Sequence, residues 1–238
     1  MNALPNILPI YKRELRSYFN SPVAYVVIVV FLAVLGWFFT NNLFLMNVAS
    51  LRIVFDLVPL IFLFFIPAIT MRLIAEEKKA GTLELLTTKP VRDVEIVLGK
   101  FLAAWTLLAA ALLPTLFYLI TIVALGKVDL GPIISGYLGL MLMGGVYIAI
   151  GLLASSLTEN QIVAFILSFL IVFVFFILDK VLMYVPDALA STLEFLSMDY
   201  HFSNIARGVI DTRNLIYFGS LLGFSLFLST VSLERRKW

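Results

Sequence analysis

The chain has no cysteine and a single histidine, His201, among its 238 residues. Disulfides, thiol catalysis and cysteine metal sites are therefore excluded, and one copy cannot assemble a multi-histidine metal centre. Charge is also scarce: 13% of residues are Asp, Glu, Lys or Arg, against about a quarter in soluble domains. A net charge of +2 is too small to point to nucleic acid. There is no Gly-x-x-x-x-Gly-Lys-Ser/Thr stretch, so the chain has no phosphate loop with which to hydrolyse a nucleotide. Strand-like alternation, internal repeats and low-complexity tracts are missing too. That argues against a β-barrel and against a secondary transporter built from paired broken helices.

What the sequence has in excess is apolar surface. It is 62% hydrophobic, with a mean hydropathy of +1.05. A soluble fold of this length has no interior large enough for that much, so lipid must solvate much of it. Six long apolar segments stand out, at 22–39, 53–74, 96–125, 133–157, 162–183 and 215–233. Each is near the roughly 20 residues a membrane helix needs, and backbone in lipid must satisfy its own hydrogen bonds, so each reads as a helix. The fold class expected is a single all-α membrane domain over 1–238 with six transmembrane helices. Pro114 offers a kink in the long third span, and Pro59 and Pro67 sit within the second. The first span is read as a retained helix and not a leader, because its end, Gly36-Trp37-Phe38-Phe39, is bulky and no small-x-small cleavage site follows.

Lys and Arg set the expected orientation. Twelve of the 17 fall on one set of connections (Lys12, Arg13, Arg16; Arg72, Lys78, Lys79, Lys89, Arg92, Lys100; Arg235, Arg236, Lys237) and five on the other (Arg52, Lys127, Lys180, Arg207, Arg213). The positive-inside rule then puts both termini and the 72–100 connection in the cytoplasm. Before the first span, residues 6–20 form an amphipathic stretch. Ile7, Ile10, Tyr11, Leu15, Tyr18 and Phe19 share one face and Lys12, Arg13 and Arg16 the other, as in a helix lying along the interface. On the outward side, residues 184–213 carry apolar residues at helical spacing and read as one or two short interfacial or re-entrant helices. They could gate a pathway or simply cap the bundle. His201, Phe202, Arg207 and Asp211 are the residues of interest there.

The stretch that carries most information is IAEEKKAGTLELLTTKPV, 74–91. Ala75-Glu76-Glu77-Lys78-Lys79 continues the second span as a charged helical end, and Gly81 breaks it. Thr82 caps a second short helix in which Leu83 and Leu86 share a face, with Leu85 beside them and Glu84 opposite. Paired glutamates beside a membrane suggest a metal-dependent intramembrane protease. Zinc needs about three protein ligands, however, and the lone His201 is predicted on the opposite side. The leucines, presented within 76–88, read instead as either interfacial anchors or knobs for docking another protein. Elsewhere, Gly145-x-x-x-Ala149 and Gly219-x-x-x-Gly223 permit close helix approach, read as packing within one subunit. Asp56, shallow in the second span, is a transport candidate or a partner for Arg52. Glu159, Asn160 and Gln161 read as a tight turn.

These segments resemble the transmembrane subunit of a type-2 ABC exporter. The likeness rests on Pro67-Ala68-Ile69-Thr70-Met71-Arg72, on Glu76-Glu77-Lys78-Lys79-Ala80-Gly81-Thr82-Leu83-Glu84-Leu85-Leu86, on Lys89-Pro90-Val91 and on Gly99-Lys100-Phe101. It extends to Lys12-Arg13-Glu14-Leu15 with Ser21-Pro22, to 154–161, to 199–202 and 207–211, and to Glu234-Arg235-Arg236. Among such permeases it is most similar to those associated with gliding motility. The resemblance implies an N-terminal elbow helix and a coupling helix seated in a groove of a separate ABC ATPase. The chain itself then needs no cofactor or metal; ATP and Mg are bound by the ATPase, in two copies. A second permease copy or a paralogue completes the pair, with the subunit interface mainly at spans one and five. Export or force transmission across a bacterial inner membrane is the activity implied. The gliding-associated members also imply a membrane-anchored partner with a large outward domain. Two other classes stay open from the residues alone: a non-transporting scaffold for a mechanical ATPase, and an ion-coupled transporter that works unaided.

Overall fold

A computed structural model describes residues 6–46, 50–82, 91–125, 129–181 and 186–235, the side chains of 187–190 excepted. Those residues form helices and turns with no strand. A short amphipathic helix, α1 (Ile7–Asn20), precedes the first span, α2 (Pro22–Phe44). Ser21 separates them: its hydroxyl oxygen accepts from Val23 N at 3.3 Å, and Pro22 begins the new helix where a missing N–H costs nothing. The second span is α3 (Arg52–Thr70), and a turn leads from it to the five-residue α4 (Ala75–Lys79). The third span is α5 (Asp93–Leu112), a 3-10 turn at Leu113–Thr115 and α6 (Leu116–Leu125); the expected proline break thus falls at Pro114. The fourth span is α7 (Leu130–Leu157) and the fifth α8 (Gln161–Val181). Two short helices, α9 (Asp187–Leu196) and α10 (Met198–Ala206), then lead to the last span, α11 (Thr212–Glu234). Among the described residues, six helical segments are long and apolar enough to cross a membrane.

The core is organised around α7, which packs against α3, α5, α8, α10 and α11. Its glycines let neighbours close in. A Cβ at Gly136 would lie 2.5 Å from the Phe55 ring, one at Gly144 2.3 Å from Leu108 Cδ2, and one at Gly151 2.1 Å from Thr70 Oγ1. Phe55, Phe62 and Thr70 thus meet Gly136, Gly144 and Gly151 in the same order, so α3 and α7 run parallel along their whole length. Gly145 similarly faces Leu222 and Trp105, whose indole N–H donates to Met141 O at 3.0 Å.

The other small-residue pair behaves differently from expectation. A Cβ at Gly219 or Gly223 would meet nothing within 4 Å. Helix α11 turns Tyr217, Phe218, Ser225 and Leu226 inward, which leaves the two glycines on its outer face with Ile216, Phe224 and Phe227. Asp56 and Arg52 are both exposed, and among the described residues they form no ion pair.

The segment between spans five and six is built on packing. His201 is buried, stacked on Tyr217 with ring centroids 3.9 Å apart. Its Nδ1 lies 2.7 Å from Asn214 Oδ1 and its Nε2 3.0 Å from Phe195 O. Phe202 and Ile205 press on Gly139. Asp211 caps α11, accepting from Arg213 N at 2.9 Å, and Arg207 is exposed. Asp199 pairs with Lys180 at 2.7 Å and ties α10 to the end of α8. Burial pushes the Asp199 carboxyl up from its ordinary value, and Lys180 only partly opposes this. At the other end of α8, Asn160 Oδ1 accepts from Ile162 N at 2.9 Å and closes the expected turn.

Candidate functional site

The helix α1 lies across α5 because α5 makes room for it. A Cβ at Gly99 would sit 2.7 Å from Ile10 Cγ2 and 3.3 Å from the Ile7 carbonyl oxygen, so only a glycine permits this approach. At the start of both helices stands Glu95, 1% exposed. One of its oxygens accepts from Asn6 N at 3.1 Å. The other accepts from Asn6 Nδ2 at 3.1 Å and from Arg92 N at 2.9 Å. One carboxylate therefore satisfies amide donors at the N-termini of α1 and α5 together. Further along, Tyr11 and Thr106 share a 3.2 Å hydrogen bond, and the Tyr18 hydroxyl donates to Ile69 O at 3.3 Å. The elbow is thus tied to spans two and three.

Four charges close the junction. Lys100, on α5, is only 1% exposed, so its ammonium must be paired. Its Nζ lies 3.2 Å from Glu14 Oε1 on α1 and 2.9 Å from Glu77 Oε2 on α4. Arg13 Nη2 bridges the same two acids, at 2.7 Å from Glu14 and 2.6 Å from Glu77. Two cations and two carboxylates alternate in a ring that joins three helices. Burial pushes the Glu14 carboxyl up, but Lys100 and then Arg13 more than reverse this and hold it below its ordinary value. Burial likewise works against the Arg13 charge, and the two acids outweigh it and raise the guanidinium's value.

The turn feeding α4 is fixed from α7. Ser155 Oγ accepts from Ile74 N and Ala75 N, each at 3.0 Å, and donates to Met71 O at 3.0 Å. A five-residue helix cannot bond its own leading amides, and this hydroxyl does so for it. Lys78 donates to the Ser156 carbonyl, which also accepts from Ser232 Oγ at 3.2 Å. Span two thus ends in a segment held by α1, α5 and α7 at once. Its exit is marked by Gly81 in the left-handed region (φ 67°), with Thr82 Oγ1 donating to Glu77 O at 3.4 Å.

Of the coupling residues named from sequence, Glu77 and Lys78 are joined to the bundle, while Glu76, Lys79, Gly81 and Thr82 are exposed. Leu83, Glu84, Leu85 and Leu86 lie outside the described residues. On the elbow, Lys12 and Arg16 are exposed, while Arg13 and Glu14 belong to the ring. Sequence reasoning did not single out Lys100, Glu95 or Ser155 for a role. Lys100 had a signal: a lone cation inside an apolar segment needs a partner. Ser155, one hydroxyl in an oily helix, had none. No group of three or more metal-ligating residues is found among the described residues.

Comparison with curated proteins finds no match. A family model described as ABC-2 family transporter protein matches residues 41–233. The match takes in Glu77, Lys100 and Ser155, and leaves out the elbow that carries Arg13 and Glu14. Members of that family are membrane components without intrinsic catalytic activity, and they imply an ABC ATPase partner. With five of the six apolar helices wholly or largely inside the matched region, the chain belongs to the ABC-2 transporter family and is a multi-pass membrane permease subunit of an ABC transporter.

Proposed function

We propose that this chain receives the work of a separate ATPase at residues 76–88 and passes it to its spans as export or as force on an outward partner. The observation that carries the reading is the double fixing of α4. Glu77 binds it to the elbow and to span three, and Ser155 binds it to span four. A push on the following segment, Gly81 to Leu86, then moves the elbow and spans two, three and four as one body. Coupling of this kind needs two sites joined through an element with two discrete arrangements. Such a body supplies the rigid part.

In this reading both termini and the α4 junction are cytoplasmic, and the membrane is a bacterial inner membrane. Two ATPase copies bind ATP and Mg, and this chain contributes no catalytic residue. A second permease, identical or paralogous, completes the complex. The gliding-motility resemblance adds a membrane-anchored partner with a large outward domain.

The absence of cysteine makes the topology directly testable. Thr82→Cys and Arg207→Cys are each the only thiol in the chain. With a membrane-impermeant maleimide, Arg207→Cys is expected to label in intact cells and Thr82→Cys only in inside-out vesicles. Thr82→Cys should also crosslink to the co-expressed ABC ATPase. Labelling of both thiols from one side would overturn the arrangement.

A further inference from the structure

A cavity of about 540 Å³ opens beside the ion ring, between the elbow and the end of span two. That is within the usual range of about 300–1,000 Å³ for small-molecule sites. Its walls include Arg13, Ser17, Tyr18, Ser21, Arg72 and Glu76. Three cations and three acids line it, but Arg13, Lys100, Glu14 and Glu77 neutralise one another in the ring. One charge of each sign remains. Arg72 is held over the Tyr18 ring, 5.7 Å from its centroid. Neither it nor Glu76 makes an ion pair among the described residues.

We propose that this cavity holds the headgroup of a zwitterionic phospholipid bearing a primary ammonium, with its phosphate on Arg72 and its ammonium at Glu76. A guanidinium suits a phosphate oxygen pair, and a carboxylate accepts from an ammonium. The Ser21 hydroxyl oxygen already accepts from Val23 N, so its proton is available to the phosphate. The source is a bilayer lipid because of what borders the cavity. Immediately beyond Ser21, Val23, Tyr25, Val26, Val29 and Val30 of α2 are 46–63% exposed and form an apolar track on which acyl chains can lie. The inference rests on the chain's membrane placement and not on its coupling to an ATPase.

The test is native mass spectrometry of the full chain released from bilayers of equal phosphatidylethanolamine, phosphatidylcholine and phosphatidylglycerol. Phosphatidylethanolamine should be retained about tenfold over the other two, the effect of one charge-assisted hydrogen bond. Phosphatidylcholine has the same charges but no N–H to donate. Arg72→Gln should abolish retention of all three, and Arg52→Gln, at the other end of span two, should change nothing. Glu76 is exposed, so Glu76→Lys should fold normally and turn the preference to anionic phosphatidylglycerol. Equal retention of the three lipids, or an unchanged preference in Glu76→Lys, overturns the proposal. So does displacement of the lipid by millimolar phosphoethanolamine or inorganic phosphate, which would mark the site as one for a soluble ligand.

Discussion

Replacing Lys100 with methionine is expected to break the elbow's ionic tie to spans two and three and destabilise the chain by about 3–5 kcal/mol, the cost of removing one partner from a buried ion pair. Methionine fills similar space, so packing against α1 is kept and only the charge is lost. Glu14 and Glu77, 13% and 17% exposed, would then face each other with Arg13 as their sole counter-charge, itself half in solvent. The rescue is more informative than the loss. Adding Glu14→Gln and Glu77→Gln to Lys100→Met removes the uncompensated acids and should restore most of the stability, measured by thermal melting in detergent. A triple variant no more stable than Lys100→Met would show that the ring is incidental. The pH dependence has a definite sign. Glu14 is held below its ordinary 4.5, so its share of the stability is complete above that value. It is lost as pH falls through the lowered value in the folded chain.

Gly151→Leu should be among the most damaging substitutions in the chain, and Gly219→Leu close to harmless. At Gly151 even a Cβ would lie 2.1 Å from Thr70 Oγ1 and 2.7 Å from Thr70 Cβ. Thr70 cannot step aside, since its hydroxyl donates to Ile66 O at 2.9 Å and it is fully buried. Helices α3 and α7 would have to part, at an overpacking cost of about 1–3 kcal/mol or more. Ser155, one turn further along α7, would then be drawn away from the Met71–Ala75 turn, loosening α4 as well. At Gly219 a side chain meets nothing within 4 Å, and leaving glycine in a helix is favourable by up to about 1 kcal/mol. Monodisperse yield and melting temperature of the two variants provide the comparison. Equal damage at both positions would mean that Gly219 is buried after all.

Length and hydropathy made the six spans legible, because a bilayer admits few alternatives to helices of about 20 residues. Pro114 and Gly81 were legible for local reasons, one by its missing N–H and the other by its tolerance of positive φ. The junction was only half legible. Glu77 drew notice as one of a charged pair, and Arg13 as part of a basic elbow. Nothing local tells that Lys100 on a third helix lies between Glu77 and Glu14, because that proximity is set by Gly99 letting α1 onto α5. The same limit misplaced Gly219 and Gly223: small residues permit close approach without saying which face the rest of the helix buries. His201 and Phe202 drew attention as rare or aromatic residues in an outward segment. Their partners, Tyr217, Asn214 and Gly139, come from other elements.

The central claim is that an ATPase docks on the segment after α4, and one double variant tests it most directly. Leu83→Asp with Leu86→Asp puts two charges where apolar knobs are expected, each worth about 1.5–3 kcal/mol when buried. Co-expressed with its ABC ATPase and purified from membranes, this variant should insert in normal amount but lose the ATPase from the complex. An intact complex at full stoichiometry, with normal coupled hydrolysis, would contradict the account.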